Sequence, residues 1–378
     1  MRPLPELTPA TAWFWTSGAD GHLRVQRCTE CTTLVHPPAP ICPACRSRAW
    51  EPAAVSGRGT IVGYTVNYHQ WHPDFEPPYV IAVVALTEDP RVRLTTMMVD
   101  CDPEEVAIGQ AVAVRFEPHD DVWLPLFTLT GEPSSGNPVP EPERPRPRPP
   151  LGHDRFEHRS VLSGVGRSAL GRRLMVDPLS LTVDACLQAV DDAGLELDDI
   201  DGLSTYPGAA GMGMSEGGVT AVEEALRLHP TWINGGGDLP GPGGAVVAAM
   251  LAVASGLCRH VLCFRTVWES TFASLRLGAA GGGGARASGW NAWRAPFGAM
   301  SAANWIAMNA NQYLHRYHAP RELLGLIALN GRANAARNPA AIYRDPMTMD
   351  DYLSARPITS PFGLFDCDVP CDASIAVV

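Results

Sequence analysis

The sequence contains no lysine: all 29 of its basic residues are arginine. Within these 378 residues that excludes every lysine Schiff-base mechanism and the lysine grip of a phosphate-binding P-loop. Long apolar runs are missing too. The longest, residues 245–254, stops at Ser255-Gly256, well short of the roughly 20 residues a membrane span needs, and it reads as a buried helix. Charge is sparse at 18% and acidic in balance, with a net value of −11. Nucleic acid or an anionic membrane surface calls for a basic face, so neither is expected as a partner. Residues 1–9 lack a basic region followed by an apolar stretch, and the expected location is therefore cytoplasmic.

What the chain does have is cysteine at metal spacing. Cys28-x-x-Cys31 and Cys42-x-x-Cys45 are separated by ten residues, and each pair can present two thiolates from one tight turn. Four thiolates satisfy tetrahedral zinc with no open position, so the expected ion is structural Zn2+ without chemistry of its own. The other six cysteines sit among apolar or acidic neighbours and are expected as buried thiols in a reducing compartment.

Composition also divides the chain. Residues 131–150 are rich in proline and can bury almost nothing, which marks a linker, taken as 131–156. Ahead of it, residues 59–70, 79–88, 91–99, 110–118 and 122–130 are five short runs rich in β-branched and aromatic residues, the pattern of a small barrel. Behind it the grammar alternates: an apolar run 161–165, a helix 177–190 capped by Asp177, a strand at 233–234, a glycine-rich turn 235–244, the helix 245–254, a strand 260–267, and helices near 301–317 and 320–337. Such alternation predicts a layered α/β domain. The expected divisions are 1–52 for an N-terminal helix and ribbon, 53–130 for the barrel, and 157–378 for the α/β domain.

Tyr68, His69, Trp71 and His72 can be taken as a pocket lining or as a strand end entering a proline-rich loop, and the loop is favoured. The run 278–289 lacks the strand-to-helix setting of a phosphate loop. Trp290, Trp293 and Phe297 suit either a flat apolar ligand or ordinary packing, with packing favoured. Cys367 and Cys371, flanked by Asp366, Asp368 and Asp372, are not taken as a second metal site.

Two stretches resemble known families. The helix at 11–17, the segment RCTECTTLVHPPAPICPAC at 27–45 and DPEEVAIGQAVAVRF at 102–116 resemble the acyl-CoA-associated OB-fold family called domain of unknown function thirty-five, over residues 8–130. Further on, VLSGVGRSALGRRL (161–174), DDIDGLSTYPG (198–208), PFGAMSAANWIAMNANQYLHRY (296–317), RDPMTMDDYL (344–353) and FDCDVPCDAS (365–374) resemble thiolase-fold lipid-transfer proteins of the sterol carrier protein X type. The fold class implied is multidomain: zinc ribbon plus five-stranded OB barrel, then the first half only of a thiolase-like layered fold. The resemblance further implies that the family's catalytic histidine loop, second cysteine and tyrosine proton donors lie beyond Val378 and that 1–378 alone is inactive. It also makes the 365–374 stretch strand-forming.

Where such thiolases carry N-x-C-A-x-G, this chain reads Asn234-Gly-Gly-Gly-Asp238-Leu239-Pro240-Gly241. The nucleophilic cysteine is absent there, Asp238 or Leu239 takes its place, and Cys258 and Cys263 lie a whole helix away. Asp238, Leu239 and Gly241 remain as an oxyanion-hole turn able to stabilise the enolate of a coenzyme A thioester. Fusion of the two modules resembles the steroid side-chain aldolases. It implies an acyl-CoA substrate cleaved by retro-aldol reaction to a ketone and propionyl-CoA, a MaoC-like hydratase partner, and a homodimer through the thiolase-like domain. Two alternatives stand beside this: a thiolase or acyltransferase with an unusual nucleophile, and a non-catalytic scaffold that recruits the hydratase.

Overall fold

The computed structural model describes residues 2–133, 152, 155–206, 215–216, 218–236, 240–275 and 286–378. The expected linker lies almost wholly outside them. By packing, the chain forms two compact units that do not follow chain order: residues 1–143, 284–338 and 343–368 make one, and residues 144–283, 339–342 and 369–378 the other.

In the first unit a short helix α1 (Ala12–Trp15) precedes a three-stranded antiparallel ribbon, β1 (Leu23–Cys28), β2 (Leu34–Val35) and β3 (Trp50–Val55), in the order β2-β1-β3. Five strands follow: β4 (Arg58–Asn67), β5 (Tyr79–Leu86), β6 (Arg93–Met98), β7 (Ala111–His119) and β8 (Val122–Leu129). Each expected run forms its strand, and the pairing β4–β7 closes the sheet into a five-stranded barrel. Inward residues such as Ile61, Val84, Leu94, Val112, Leu124 and Phe127 fill it and are almost fully buried. Barrel closure leaves no sheet edge in this part of the ladder.

The second unit contains β9 (Val165–Arg167), α2 (Pro178–Asp192), β10 (Gly202–Thr205), α3 (Val219–Leu226), β11 (Trp232–Asn234), α4 (Gly241–Ser255), β12 (Val261–Trp268) and α5 (Glu269–Ser274). The chain then returns to the first unit with α6 (Ala302–Tyr317), α7 (Glu322–Ala335), α8 (Met349–Leu353) and the hairpin β13 (Pro357–Thr359) and β14 (Phe362–Gly363). The last strand, β15 (Asp372–Val377), belongs to the second unit.

The second unit is a five-stranded mixed sheet ordered β11-β10-β12-β15-β9, in which β10, β11 and β12 are parallel and β15 runs against both its neighbours. Asp177 starts α2 as expected, its carboxylate accepting the Ser180 N–H at 2.9 Å. The strand β9 can lie against α2 because Gly164 and Gly166 have no side chain: a Cβ at Gly166 would sit 2.0 Å from the Ala185 carbonyl oxygen. Fully buried Asp372 accepts the N–H groups of Leu174, Ser270 and Thr271 and the Thr271 hydroxyl. It thereby ties α5 to the start of β15.

Two sequence expectations are corrected here. The apolar run 161–165 was expected as a strand, but the strand occupies Val165–Arg167, and Val161 is 82% exposed. The 365–374 stretch was expected, from the family resemblance, to be strand-forming. Instead a 3-10 turn occupies Leu364–Asp366, and the strand begins at Asp372.

Within the first unit, α6 packs on β4. The ladder between β4 and β5 is irregular between Ile61 and Gly63, where Val62 has no partner in β5. Gln312 donates to the Val62 carbonyl at 2.9 Å and Asn311 to the Tyr64 carbonyl at 3.0 Å, so the bulge is satisfied by the helix. Gly63 permits the approach, since a Cβ there would meet the Met308 carbonyl oxygen at 3.1 Å. A buried polar cluster locks the same junction. Asn304 donates to Asn67 Oδ1 at 3.0 Å and to Thr359 Oγ1 at 3.3 Å, and Thr65 shares a 2.6 Å bond with Thr359. All four side chains are fully buried.

Candidate metal centre and candidate active site

The ribbon builds its metal site from two matching turns. The Cys28 N–H donates to the Thr33 carbonyl and the Thr32 N–H to the Cys28 carbonyl. The second turn repeats this between Cys42 and Ser47 and between Arg46 and Cys42. In each, the residue after the second cysteine is left-handed, Thr32 at φ 63° and Arg46 at φ 68°, a conformation glycine usually supplies. The four Sγ atoms lie within 4.8 Å of one another, with Cys28–Cys45 and Cys31–Cys42 each at 3.5 Å. Zinc–sulfur bonds of about 2.3 Å in a tetrahedron put sulfurs about 3.8 Å apart, so the cage fits that ion. The Thr33 hydroxyl and N–H lower the Cys31 thiol to about 6, toward the thiolate a metal takes. Among the described residues this is the one group of three or more such side chains able to hold a metal.

The second candidate is the turn between β11 and α4. Asn234 donates to Ser204 Oγ at 3.1 Å, and the Ser204 hydroxyl donates to the Ala245 carbonyl at 2.9 Å. One fully buried serine of β10 thus pins the chain on both sides of the turn. Asp238 and Leu239 lie outside the described residues. Gly241 opens α4 at φ +71°. Pro242 follows it and has no N–H to offer, so donors of the first turn come from its other residues. Cys258 and Cys263 are both buried. Burial raises both thiols, Cys263 to about 12, so neither is a thiolate near neutral pH.

Other residues singled out from sequence fall elsewhere. Tyr68, His69, Trp71 and His72 form the loop after β4, where the Trp71 indole donates to Asn67 and the His69 ring meets Trp71 edge-on. Trp293 stacks on Trp15 at 4.7 Å, and Phe297 is 2% exposed in the barrel-side core, so both pack. Trp290 is exposed, with Arg294 over its ring. Cys367 and Cys371 fall in different units. Residues 278–285 lie outside the described part.

Sequence reasoning missed Arg265, Ser215 and Glu216. Arg265, in β12, donates through Nη1 to the Thr266 carbonyl at 2.6 Å and to Ser215 Oγ at 3.3 Å. The Ser215 hydroxyl donates to Glu216, which is 5% exposed and whose Oε1 has no partner. The signal lay in the strand itself: one arginine in the otherwise uncharged run Val-Leu-Cys-Phe-Arg265-Thr-Val.

Comparison with known proteins agrees with this architecture. Residues 15–51 match a family described as the ChsH2 rubredoxin-like zinc ribbon domain, and residues 53–117 the ChsH2 C-terminal OB-fold domain. A DUF35 domain-containing scaffold protein of Methanothermobacter thermautotrophicus is 37% identical over 98 residues, which is 25% of this chain and 71% of that protein. The chain belongs to the DUF35 family. Over 222 residues, 57% of its length, the chain is also 25% identical to an "acetyl-CoA acetyltransferase" of the same organism, covering 55% of that protein. A "steroid side-chain-cleaving aldolase" of Thermomonospora curvata is 33% identical over 223 residues, 58% of this chain and 56% of that one. A "probable enoyl-CoA hydratase alpha subunit" of the same organism is 38% identical over 128 residues, 34% of this chain and 40% of that one. The chain spans about half the length of the curated aldolase, lyase and hydratase relatives it matches. No helix among the described residues is long and apolar enough to cross a membrane.

Proposed function

We propose that this DUF35 protein acts in carbon–carbon bond cleavage of an acyl-CoA: retro-aldol scission of a β-hydroxyacyl-CoA with a sterol-type ring system, giving a ketone and propionyl-CoA. The observation that carries the reading is the 33% identity to a steroid side-chain-cleaving aldolase. The chemistry of the chain is consistent with it. Retro-aldol cleavage proceeds through a thioester enolate and needs a base for the hydroxyl and donors for the enolate oxygen. No lysine is present to form an imine, and a cage of four thiolates leaves zinc no position for an enolate. Backbone donors of the 238–241 turn are the proposed partners of the thioester oxygen.

The zinc ribbon and barrel are proposed as the recruiting part, holding a MaoC-like hydratase whose hydrated product is the substrate; the 38% identity to a hydratase alpha subunit supports this. We place the protein in the cytoplasm, where thiols stay reduced. We also propose that it pairs as a homodimer through the thiolase-like domain, a reading supported by the short edge strand β11 with Ile233 53% exposed. The test is incubation of the purified protein and hydratase with a steroid enoyl-CoA, following propionyl-CoA by mass spectrometry. Release supports the lyase reading. A covalent acyl-enzyme and thiolysis in its place would establish an acyltransferase, and no turnover at all by a protein that also carries the second half of the thiolase-like fold would establish a scaffold.

A further inference from the structure

Tryptophan is on average a highly buried residue, yet Trp290 of the first unit is 70% exposed. It stands in a short 3-10 segment, Gly289–Trp293, and the Arg294 guanidinium lies over its ring, 5.9 Å from the centroid. The same guanidinium lies over Trp305, in the first turns of α6, at 4.5 Å. Two indole faces thus hold one cation and set its plane. Trp305 is the firm side of this arrangement, packed against the cluster of Phe75, Tyr79, Ile81, Ala299 and Met308. The Arg294 main chain is fixed as well, its carbonyl accepting the N–H groups of Phe297 at 3.0 Å and Ala299 at 3.2 Å.

What this guanidinium lacks is a polar partner. Arg2, Arg24, Arg27, Arg91 and Arg286 of the same unit each meet a carboxylate. Among the described residues Arg294 meets none, and its side-chain N–H groups reach no acceptor. No acidic residue stands in the first turn of α6 beside it. A guanidinium held flat by aromatic rings, with its edge unspent, has the donor geometry that grips a phosphate through two N–H groups. An indole with an open face is a platform on which a nucleobase stacks. Side by side they fit a ligand that is both planar and anionic, a phosphorylated nucleoside. An inorganic anion would leave the indole unused, and a neutral apolar ligand the cation.

We propose that Trp290 and Arg294, seated on Trp305, bind the nucleotide end of a coenzyme A thioester, an inference that rests on the acyl-CoA reading above. Coenzyme A carries both parts the pair selects, an adenine ring and phosphates on its ribose. The adenine stacks on the open face of Trp290, and a phosphate accepts from the edge of Arg294. In a chain of net charge −11, a cation without a carboxylate partner is where a polyanion is least repelled. The contact falls on a part of the ligand that does not react, so it contributes binding and takes no part in bond cleavage.

The test is calorimetric binding of propionyl-CoA and of S-propionylpantetheine, the same thioester without its nucleotide, to the purified protein. Arg294→Met is expected to weaken propionyl-CoA binding by about 10-fold or more, the loss of a charge-assisted hydrogen bond, and to change S-propionylpantetheine by less than about twofold. Trp290→Ala is expected to lose at least about fivefold for propionyl-CoA alone, and Trp290→Phe to restore most of it. Arg294→Lys keeps the charge without the planar fork and is expected to recover only part of the affinity. Trp290 is exposed, so its two variants decide if Arg294→Met does not fold. The inference is overturned by unchanged propionyl-CoA affinity in a folded Met or Ala variant, by an equal loss for S-propionylpantetheine, by no propionyl-CoA binding in wild type, or by ATP binding more tightly than propionyl-CoA. Propionyl-CoA release in the lyase assay, with an affinity indifferent to both residues, overturns this inference alone. Arg294-dependent binding where that assay fails for a protein carrying both halves of the thiolase-like fold overturns the lyase reading alone.

Discussion

Replacing Asn304 by alanine is a sharp test of how α6 is fixed to the barrel. Three hydrogen bonds end on this side chain: it donates to Asn67 and Thr359, and its Oδ1 accepts the Ser301 N–H at 3.0 Å, closing the capping box of α6. At roughly 1 kcal/mol net for each bond, Asn304→Ala removes about 3 kcal/mol. The small cavity left where three atoms are lost adds under about 1 kcal/mol. Asn67 and Thr359 keep their bonds to Trp71 and Thr65, which prevents a larger loss. The expected destabilisation is thus roughly 3–4 kcal/mol, or a fall in the melting temperature of the first unit of about 6–16 °C, at about 2–4 °C per kcal/mol. Scanning calorimetry of wild type, Asn304→Ala and Asn309→Ala checks it. Asn309 is exposed on the same helix and should change stability by under about 0.7 kcal/mol, from helix propensity alone. A shift for Asn304→Ala no larger than that of Asn309→Ala would refute the reasoning.

Purified protein should carry one zinc per chain, read by metal analysis, and Cys28→Ala with Cys42→Ala should abolish it and unfold the ribbon, since a closed thiolate cage contributes on the order of 10 kcal/mol. His36 packs against Phe14 and Trp293, and burial depresses its pKa to about 3. The fold favours the neutral ring, so this contribution is complete above the unfolded value of about 6.5 and is lost as pH falls toward 3. Because an edge of the residue stays accessible, the slope is at most about 1.4 kcal/mol per pH unit. It should appear as a difference between wild type and His36→Phe in urea melts at pH 7 and pH 5, and a constant difference would contradict it. After incubation with acyl-CoA, peptide mass spectrometry should find no acyl adduct on Cys186, Cys258 or Cys263, whose thiols burial raises.

The ribbon and barrel were legible because their signals are local. Ligand spacing fixes the cysteine cage within eighteen residues, and alternation with turn residues marks each barrel strand. The left-handed Thr32 and Arg46 carried no such mark, because the knuckle imposes a conformation these residues do not prefer. Nor did the seat of α6: Asn304 meets Asn67 across 237 positions of sequence, and no propensity reports a pairing of that range. The helix 245–254 was visible as an apolar run, yet α4 starts earlier, at Gly241: the glycines of Gly-Pro-Gly-Gly are weak helix formers and read as a turn, while Pro242 suits a first helical turn. Arg265 was missed because Ser215, which it meets, lies 50 positions away in sequence.

The β4 bulge also sets a schedule for biosynthesis. The barrel strands are all synthesised by Leu129, but the side chains that satisfy the Val62 and Tyr64 carbonyls arrive only with Asn311 and Gln312. At about 5–20 residues per second, some 180 further residues take roughly 10–40 s. For that interval the nascent barrel presents a hydrated, irregular strand face beside Gly63, a surface that a chaperone or a neighbouring nascent chain meets before α6 does.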